Sequence, residues 1–471
     1  MLKFASKPQS AALAFLVAGS AWFLIGTLYG LVAALHLMAP ELYNNISWLN
    51  FGRMRPIHVN TVLFGFVATT LVGCAIYYVP ALLRTRLWSE RLGWFSWLCW
   101  NAAVLSGPTV FPFGLQQNRE YTEYLYPFKV LIMLAILTLI VNLTLTIAGR
   151  KEKTLYVSVW YAVGALIWTA GVYPIGNVMW RPQTQALPGL VDSILLWFYG
   201  HNMVGLLLTP LAIGIAYFVL PRVTRAPLYS HRLSLVGFWA LVATYTQIGG
   251  HHILQAPIPN WLRTVTVVGS IMMILPVFVV LANLWLTTRG RGMKLWGDPA
   301  GRFVLAGTMW YLLVCLQGPL QSLPSVQAVT HFTNWVIGHS HIAVLGFAGF
   351  IALGGMWHML PLVCGRKLYS ARLVNLQFGL LLFGLVGFFA VLTTAGLIQG
   401  HAWATGETVY VVLPSLNVYM ALRAMLGLFI IAGAAVGLYN VVMTLRHGEP
   451  LEPAALEAEP LDAARAGEVS P

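Results

Sequence analysis

Charge is scarce in this chain. Only 9% of its 471 residues are Asp, Glu, Lys or Arg, while 58% are hydrophobic, and a mean hydropathy of +0.75 excludes a disordered chain or an ordinary soluble globule. Cysteine is also scarce. Cys74, Cys99, Cys315 and Cys364 stand in apolar surroundings without CxxC spacing, so they read as small core residues and exclude a cysteine metal site or covalent c-type haem attachment. No nucleotide-binding glycine motif, 20–50-residue repeat or long linker stands out. Strand-like alternation is missing, which excludes a β-barrel.

What is present is a series of apolar runs, each of about 20 residues and long enough to cross roughly 30 Å of hydrocarbon. About 12 such runs recur along the chain, and lipid requires helices that satisfy their own backbone groups. The expected fold is therefore an all-α polytopic membrane protein of about 12 transmembrane helices. One bundle domain spans residues 1–446, and residues 447–471, rich in Ala, Pro and Glu, form a disordered acidic tail.

Net charge is +13, but its placement argues for topology and against nucleic-acid binding. The alternate loops "RTRLWSER", "GRKEK", "PRVTR", "RGRGMK" and "CGRKLYSAR", together with the termini, hold most of the Lys and Arg residues. By the positive-inside rule these loops and both termini face the cytoplasm. The N-terminal apolar run is too long for a cleaved leader and reads as the first helix.

Six of 12 histidines fall inside predicted spans: His58, His201, His251, His252, His339 and His341. A lone intramembrane histidine is usually a packing residue, but six in one layer of the outer half each need a partner, and a metal serves several at once. In "VIGHSHIAVLGF", His339 and His341 point about 200° apart on a helix, so they serve two centres. Adjacent His251 and His252 can lean toward one metal that His201 completes, and three imidazoles without carboxylates suit copper or iron. All six are used by a haem between His58 and His341, a second haem on His339, and a three-His metal facing its open side. A bis-His haem transfers electrons, whereas a five-coordinate haem opposite a reduced metal binds and splits a diatomic molecule.

The ordered segments "RMRPIHVNTVLFGF", "WFYGHNMVGLLLT", "YSHRLSLVGFWALVATYTQIGGHH" and "NWVIGHSHIAVLGF" resemble the catalytic subunit of haem–copper oxidases, most closely the C-type (cbb3) cytochrome c oxidases. The resemblance covers nearly the whole chain up to the acidic tail. It implies two haems b: a low-spin one with axial ligands His58 and His341, and a high-spin one with proximal ligand His339. It also implies one copper ion on His201, His251 and His252. Tyr245, six residues before the His pair, matches the C-type tyrosine, implying a covalent link to His201 and an electron and proton supplied when the O–O bond breaks. Nitric oxide reductases share the six histidines but place a glutamate four residues after the first metal histidine. Here that residue is Gly205, so reduction of O2 to water is the leading reading and NO reduction the alternative.

The same resemblance places Arg55, His331 and Trp335 near haem propionates. Glu120 matches a position associated with calcium, a solvated loop carboxylate being the competing reading. Proton-path candidates are the hydroxyls of Thr209, Tyr217, Ser234 and Tyr311. His231, Gly237 and Gln317 depart from the family's usual residues. With no haem-attachment motif of its own, the subunit implies membrane-anchored c-type cytochrome partners, in a bacterial plasma membrane. A different class, a multi-span transporter coupling protons through histidines, would carry no haem; an assembly or sensor subunit would bind haem without turnover.

Overall fold

A computed structural model describes residues 7–43 and 45–452; most of the expected acidic tail, 453–471, lies outside them. Among the described residues twelve long helical segments run back and forth: α1 Ser10–Met38, α2 Phe51–Leu82, α3 Glu90–Val110, α4 Tyr126–Ala148, α5 Val157–Gly176, α6 Leu190–Thr224, α7 His231–Tyr245, α8 Asn260–Thr287, α9 Pro299–Ser322, α10 Asn334–Cys364, α11 Ala371–Ala404 and α12 Val409–His447. All but α3 and α7 are long and apolar enough by themselves to cross a membrane; α7 continues as a 3-10 turn, Ile248–Ile253. Among the described residues there is no β-strand, only one isolated bridge between Arg366 and Pro450.

The centre of the bundle is made by α2, α6 and α10, which touch one another at mid-depth. Each widens there from α to π geometry, over Thr61–Ala68, Met203–Leu208 and Ile342–Gly349. Such turns are rare and concentrate at functional sites. They begin shortly after His58, His201 and His341 respectively. Every one of these stretches contains a glycine against which an aromatic ring from another helix packs. A β-carbon on Gly65 would come within 2.9 Å of Trp22, and one on Gly346 within 2.9 Å of Trp310, while one on Gly205 would run into the Tyr245 ring. The missing side chain lets the ring approach the helix axis.

A threefold internal repetition that the sequence reading did not find appears at the basic end of the bundle. Ser89, Ser230 and Ser370 each cap the N-terminus of α3, α7 and α11 with the side-chain oxygen, the hydroxyl accepting from an otherwise unpaired N–H. Each serine backbone is in turn clasped by an asparagine of the next helix. Asn142, Asn283 and Asn440 accept from the serine N–H at 3.0, 3.0 and 3.2 Å and donate to its carbonyl at 2.8, 2.8 and 3.0 Å. One turn further on, Thr146, Thr287 and Thr444 accept from the N–H of the residue before the serine. The chain is thus built from three four-helix units, α1–α4, α5–α8 and α9–α12, each repeating the clasp.

The basic loops are tied together in pairs at this end. Arg291 donates to the carbonyls of Thr224 and Arg225, Arg84 pairs with Glu152, and Lys367 pairs with Glu449 just beyond α12.

Candidate redox centre

Two groups of histidines form, one on each side of the outer half of α10. In the first, the His58 and His341 rings face each other with centroids 6.2 Å apart and planes 19° from parallel. His58 Nδ1 lies 2.8 Å from the Gly26 carbonyl and His341 Nδ1 lies 2.7 Å from the Ile337 carbonyl. A carbonyl only accepts, so each Nδ1 carries the proton and each Nε2 keeps a lone pair for a ligand. The spacing suits an iron between them: two metal–nitrogen bonds of about 2 Å, plus the ring radii, give roughly 6 Å. Gly30 makes room for His58, since a β-carbon there would meet the imidazole at 2.6 Å.

In the second group, His201, His251 and His252 bring ligand atoms within 4.8 Å of one another. His201 Nδ1 and His251 Nε2 lie 3.0 and 3.1 Å from His252 Nε2. Ser270 sits behind His251, its hydroxyl donating to the Thr266 carbonyl and accepting from His251 Nδ1 at 2.8 Å. That fixes the tautomer, and the His251 lone pair points into the cluster. Lone pairs so close repel unless a cation or proton sits among them, so the donor set fits a trigonal nitrogen-bound metal such as copper.

Tyr245 completes this group. Its ring stacks on His201 with centroids 4.4 Å apart and planes 21° from parallel, and His201 Nε2, turned away from the cluster, is buried without a hydrogen-bond partner. Trp197 stacks on His252 at 4.3 Å. One internal cavity is lined by His201, His251, His252, Tyr245 and, from the opposite wall, His339. The His339 ring lies parallel to Trp335 at 5.6 Å, and its Nδ1 is 3.2 Å from Gln317 Oε1.

The family model for cytochrome c and quinol oxidase polypeptide I matches residues 10–447. The chain belongs to this family. Similar proteins include the cytochrome c oxidase subunit 1 homolog of Agrobacterium tumefaciens (strain T37), 33% identical with 93% of this chain and 84% of the relative covered. The Cbb3-type cytochrome c oxidase subunit CcoN1 of Stutzerimonas stutzeri is 32% identical, with 92% and 94% covered. A heme-copper terminal oxidase dimer solved by cryo-EM shares the fold at a TM-score of 0.78 and 16% identity, covering 94% of this chain and 85% of that one. The subunit therefore stands with the cbb3-type members, and haem–copper redox chemistry comes with the family.

Other residues singled out in the sequence occupy defined places in this oxidase subunit. Arg55 donates to both oxygens of Glu120, at 3.3 and 2.5 Å. His331 lines the cavity, pairs with Gln255 at 2.7 Å and stacks on Phe332. Thr209 and Tyr311 line the cavity beside Tyr245, and the Tyr311 hydroxyl is buried without a hydrogen-bond partner. Tyr217 lies deeper, its hydroxyl accepting from Asn283 at 3.3 Å. Ser234 is buried and donates to the His231 carbonyl at 2.6 Å.

Two contacts escaped the sequence. Gln317 was legible only as a departure from family usage, yet it is the hydrogen-bond partner of His339. Glu123, only 4% exposed, accepts from Asn60 at 2.6 Å beside the Arg55–Glu120 pair. Burial, reinforced by the neighbouring Glu120 carboxylate and opposed by the Asn60 bond, pushes Glu123 up to about 8. The signal was available: Glu123 follows Glu120 by three residues in "REYTEY" and is one of only 14 acidic residues.

Proposed function

We propose that this subunit reduces O2 to water in a terminal respiratory oxidase, with electrons from c-type cytochromes and coupled proton translocation across a bacterial plasma membrane. One observation carries the choice of reaction: the Tyr245 ring packs on Gly205 and on His201. With the ring there, no carboxylate can stand at position 205 to favour iron over copper, while a phenol lies at the metal cluster. NO reduction is the reading this disfavours.

In this proposal His58 and His341 hold a low-spin haem b, His339 a high-spin haem b, and His201, His251 and His252 a copper ion. When bound, the high-spin haem and copper supply the paired redox centre at which a diatomic substrate is reduced. The chain's own residues prepare that centre. Gly26, Ile337, Ser270 and Gln317 hold Nδ1 protons so that Nε2 atoms face inward. Tyr245 stands within reach of the cavity as a donor of a proton and an electron, and the buried, unpartnered Nε2 of His201 beside it is where the covalent link would form. Protons would reach Tyr245 from the basic, cytoplasmic side by way of Tyr217 and Ser234, then Tyr311 and Thr209. Both termini face that side.

Arg55, His331 and Trp335 would border the haem edges. Calcium at Glu120 fits poorly as the residues stand, because Arg55 engages both oxygens. Membrane-anchored c-type cytochromes would dock on the outer face.

Quantification of metals and haem on the purified complex, with identification of the product, tests the proposal. About one copper and two b haems per subunit, with water formed from O2, is the expected result; non-haem iron without copper, and nitrous oxide formed from NO, would overturn it.

A further inference from the structure

Arg423 lies in α12, within a segment otherwise apolar enough to cross a membrane. A guanidinium there is costly unless something negative or electron-rich receives it. Among the described residues it makes no ion pair, and its Nε is buried without a hydrogen-bond partner. Its guanidinium carbon stands 5.6 Å from the centroid of the Phe388 ring, and the Phe388 ring packs in turn against His341, with centroids 4.5 Å apart. From there the facing His58 ring is 6.2 Å away. One aromatic ring thus separates the guanidinium from the imidazole pair.

Arg55, three residues before His58 on α2, is paired with Glu120. Arg423, without a carboxylate partner among the described residues, is therefore an uncompensated positive charge one ring away from the paired histidines. No motif in the sequence marks it.

We infer that Arg423 sets the reduction potential of the electron-transfer haem held between His58 and His341, holding it high enough to accept electrons. The inference rests on the haem assignment proposed above. One-electron reduction takes the iron–porphyrin core from a net charge of +1 to neutral. A fixed cation in a low-dielectric surrounding disfavours the ferric, positive form and so favours the reduced one. The electron comes from the c-type donor and passes on to the second haem. No bond forms or breaks, and no proton moves at Arg423. The Phe388 ring keeps the guanidinium off the imidazole, so its effect is one of charge.

The test is a spectroelectrochemical titration of the low-spin haem in the purified holo-complex, comparing wild type with Arg423→Gln, Arg423→Met and Arg423→Lys. Both neutral variants are expected to shift the reduction equilibrium at least tenfold toward ferric, about 59 mV for a one-electron couple. The lysine variant should retain most of the wild-type value, and the high-spin haem, followed by CO binding, should move less. A shift below twofold in the neutral variants, or equal shifts in the lysine and neutral variants, overturns the inference. Loss of the low-spin haem from both neutral variants also overturns it, by making Arg423 an anchor rather than a potential-setting charge. A wild-type complex with no reducible low-spin b haem would instead reject the haem assignment itself, so the two failures are distinguishable.

Discussion

The Tyr245 ring occupies the space into which a side chain on Gly205 would project, so the smallest residue in α6 and the phenol from α7 depend on each other. Gly205→Ala should displace the ring from His201, and a misplacement on the order of 1 Å can cost about 100-fold in rate. Turnover is expected to fall by roughly that factor with both haems retained. Normal turnover in Gly205→Ala would show that the contact is dispensable.

The two faces of α10 predict separable spectra. His339→Ala should lose the CO-binding high-spin haem and keep much of the low-spin signal, and His58→Ala should do the reverse. Reduced-minus-oxidised and CO difference spectra make the comparison. Identical losses from the two variants would contradict the assignment of one haem to each face.

Gln317 offers His339 a neutral acceptor. A carboxylate at that place draws the Nδ1 proton harder, makes the imidazole more electron-rich and stabilises ferric iron. Gln317→Glu should therefore lower the midpoint potential of the high-spin haem and leave the low-spin haem nearly unchanged. An upward shift would show that the hydrogen bond does not tune the iron.

Glu123 should keep its proton at neutral pH and lose it near pH 8. Between the usual carboxylate range and about 8 the folded protein binds more protons than the unfolded chain, so this group makes stability fall as pH rises through that window. Above it the cost of a buried carboxylate is fully present. Infrared difference spectra should show a protonated carboxyl band at pH 7 that disappears above pH 8 and is missing in Glu123→Gln. Thermal midpoints of Glu123→Gln should lose the part of the pH dependence lying in that window.

Each asparagine clasp makes two hydrogen bonds to a half-buried backbone turn, and leaving such groups unpaired costs at most about 1–3 kcal/mol each, the range for fully buried groups. Asn142→Ala and Asn440→Ala should lower the thermal midpoint without changing proton uptake per turnover. Asn283→Ala should lower it similarly and also slow proton uptake, because Asn283 alone among the three donates to Tyr217. Equal kinetic effects in all three would remove Tyr217 from the proposed path.

The helical spans were legible because hydropathy over about 20 residues is a strong physical signal, and the grouping of the six histidines followed from helical pitch and depth. Two features were not. The threefold clasp rests on Ser, Asn and Thr, residues common in any loop or helix, with serine-to-asparagine separations of 53, 53 and 70 residues, too irregular for a period search. Arg423 was hidden for another reason: a charge in sequence does not reveal its partner. Arg55 and Arg423 look alike along the chain, yet one faces Glu120 and the other faces Phe388.

The three π turns carry a consequence for how these helices can change over time. A residue gained in the regular part of an α-helix turns everything on one side of it by about 100° relative to the other, whereas the wider turns over Thr61–Ala68, Met203–Leu208 and Ile342–Gly349 take up an extra residue with far less rotation. The histidine half of each helix thereby stays in phase with the half that packs toward the clasps. In α2, α6 and α10 a change of length has a place to be absorbed without moving the histidines off the faces they serve.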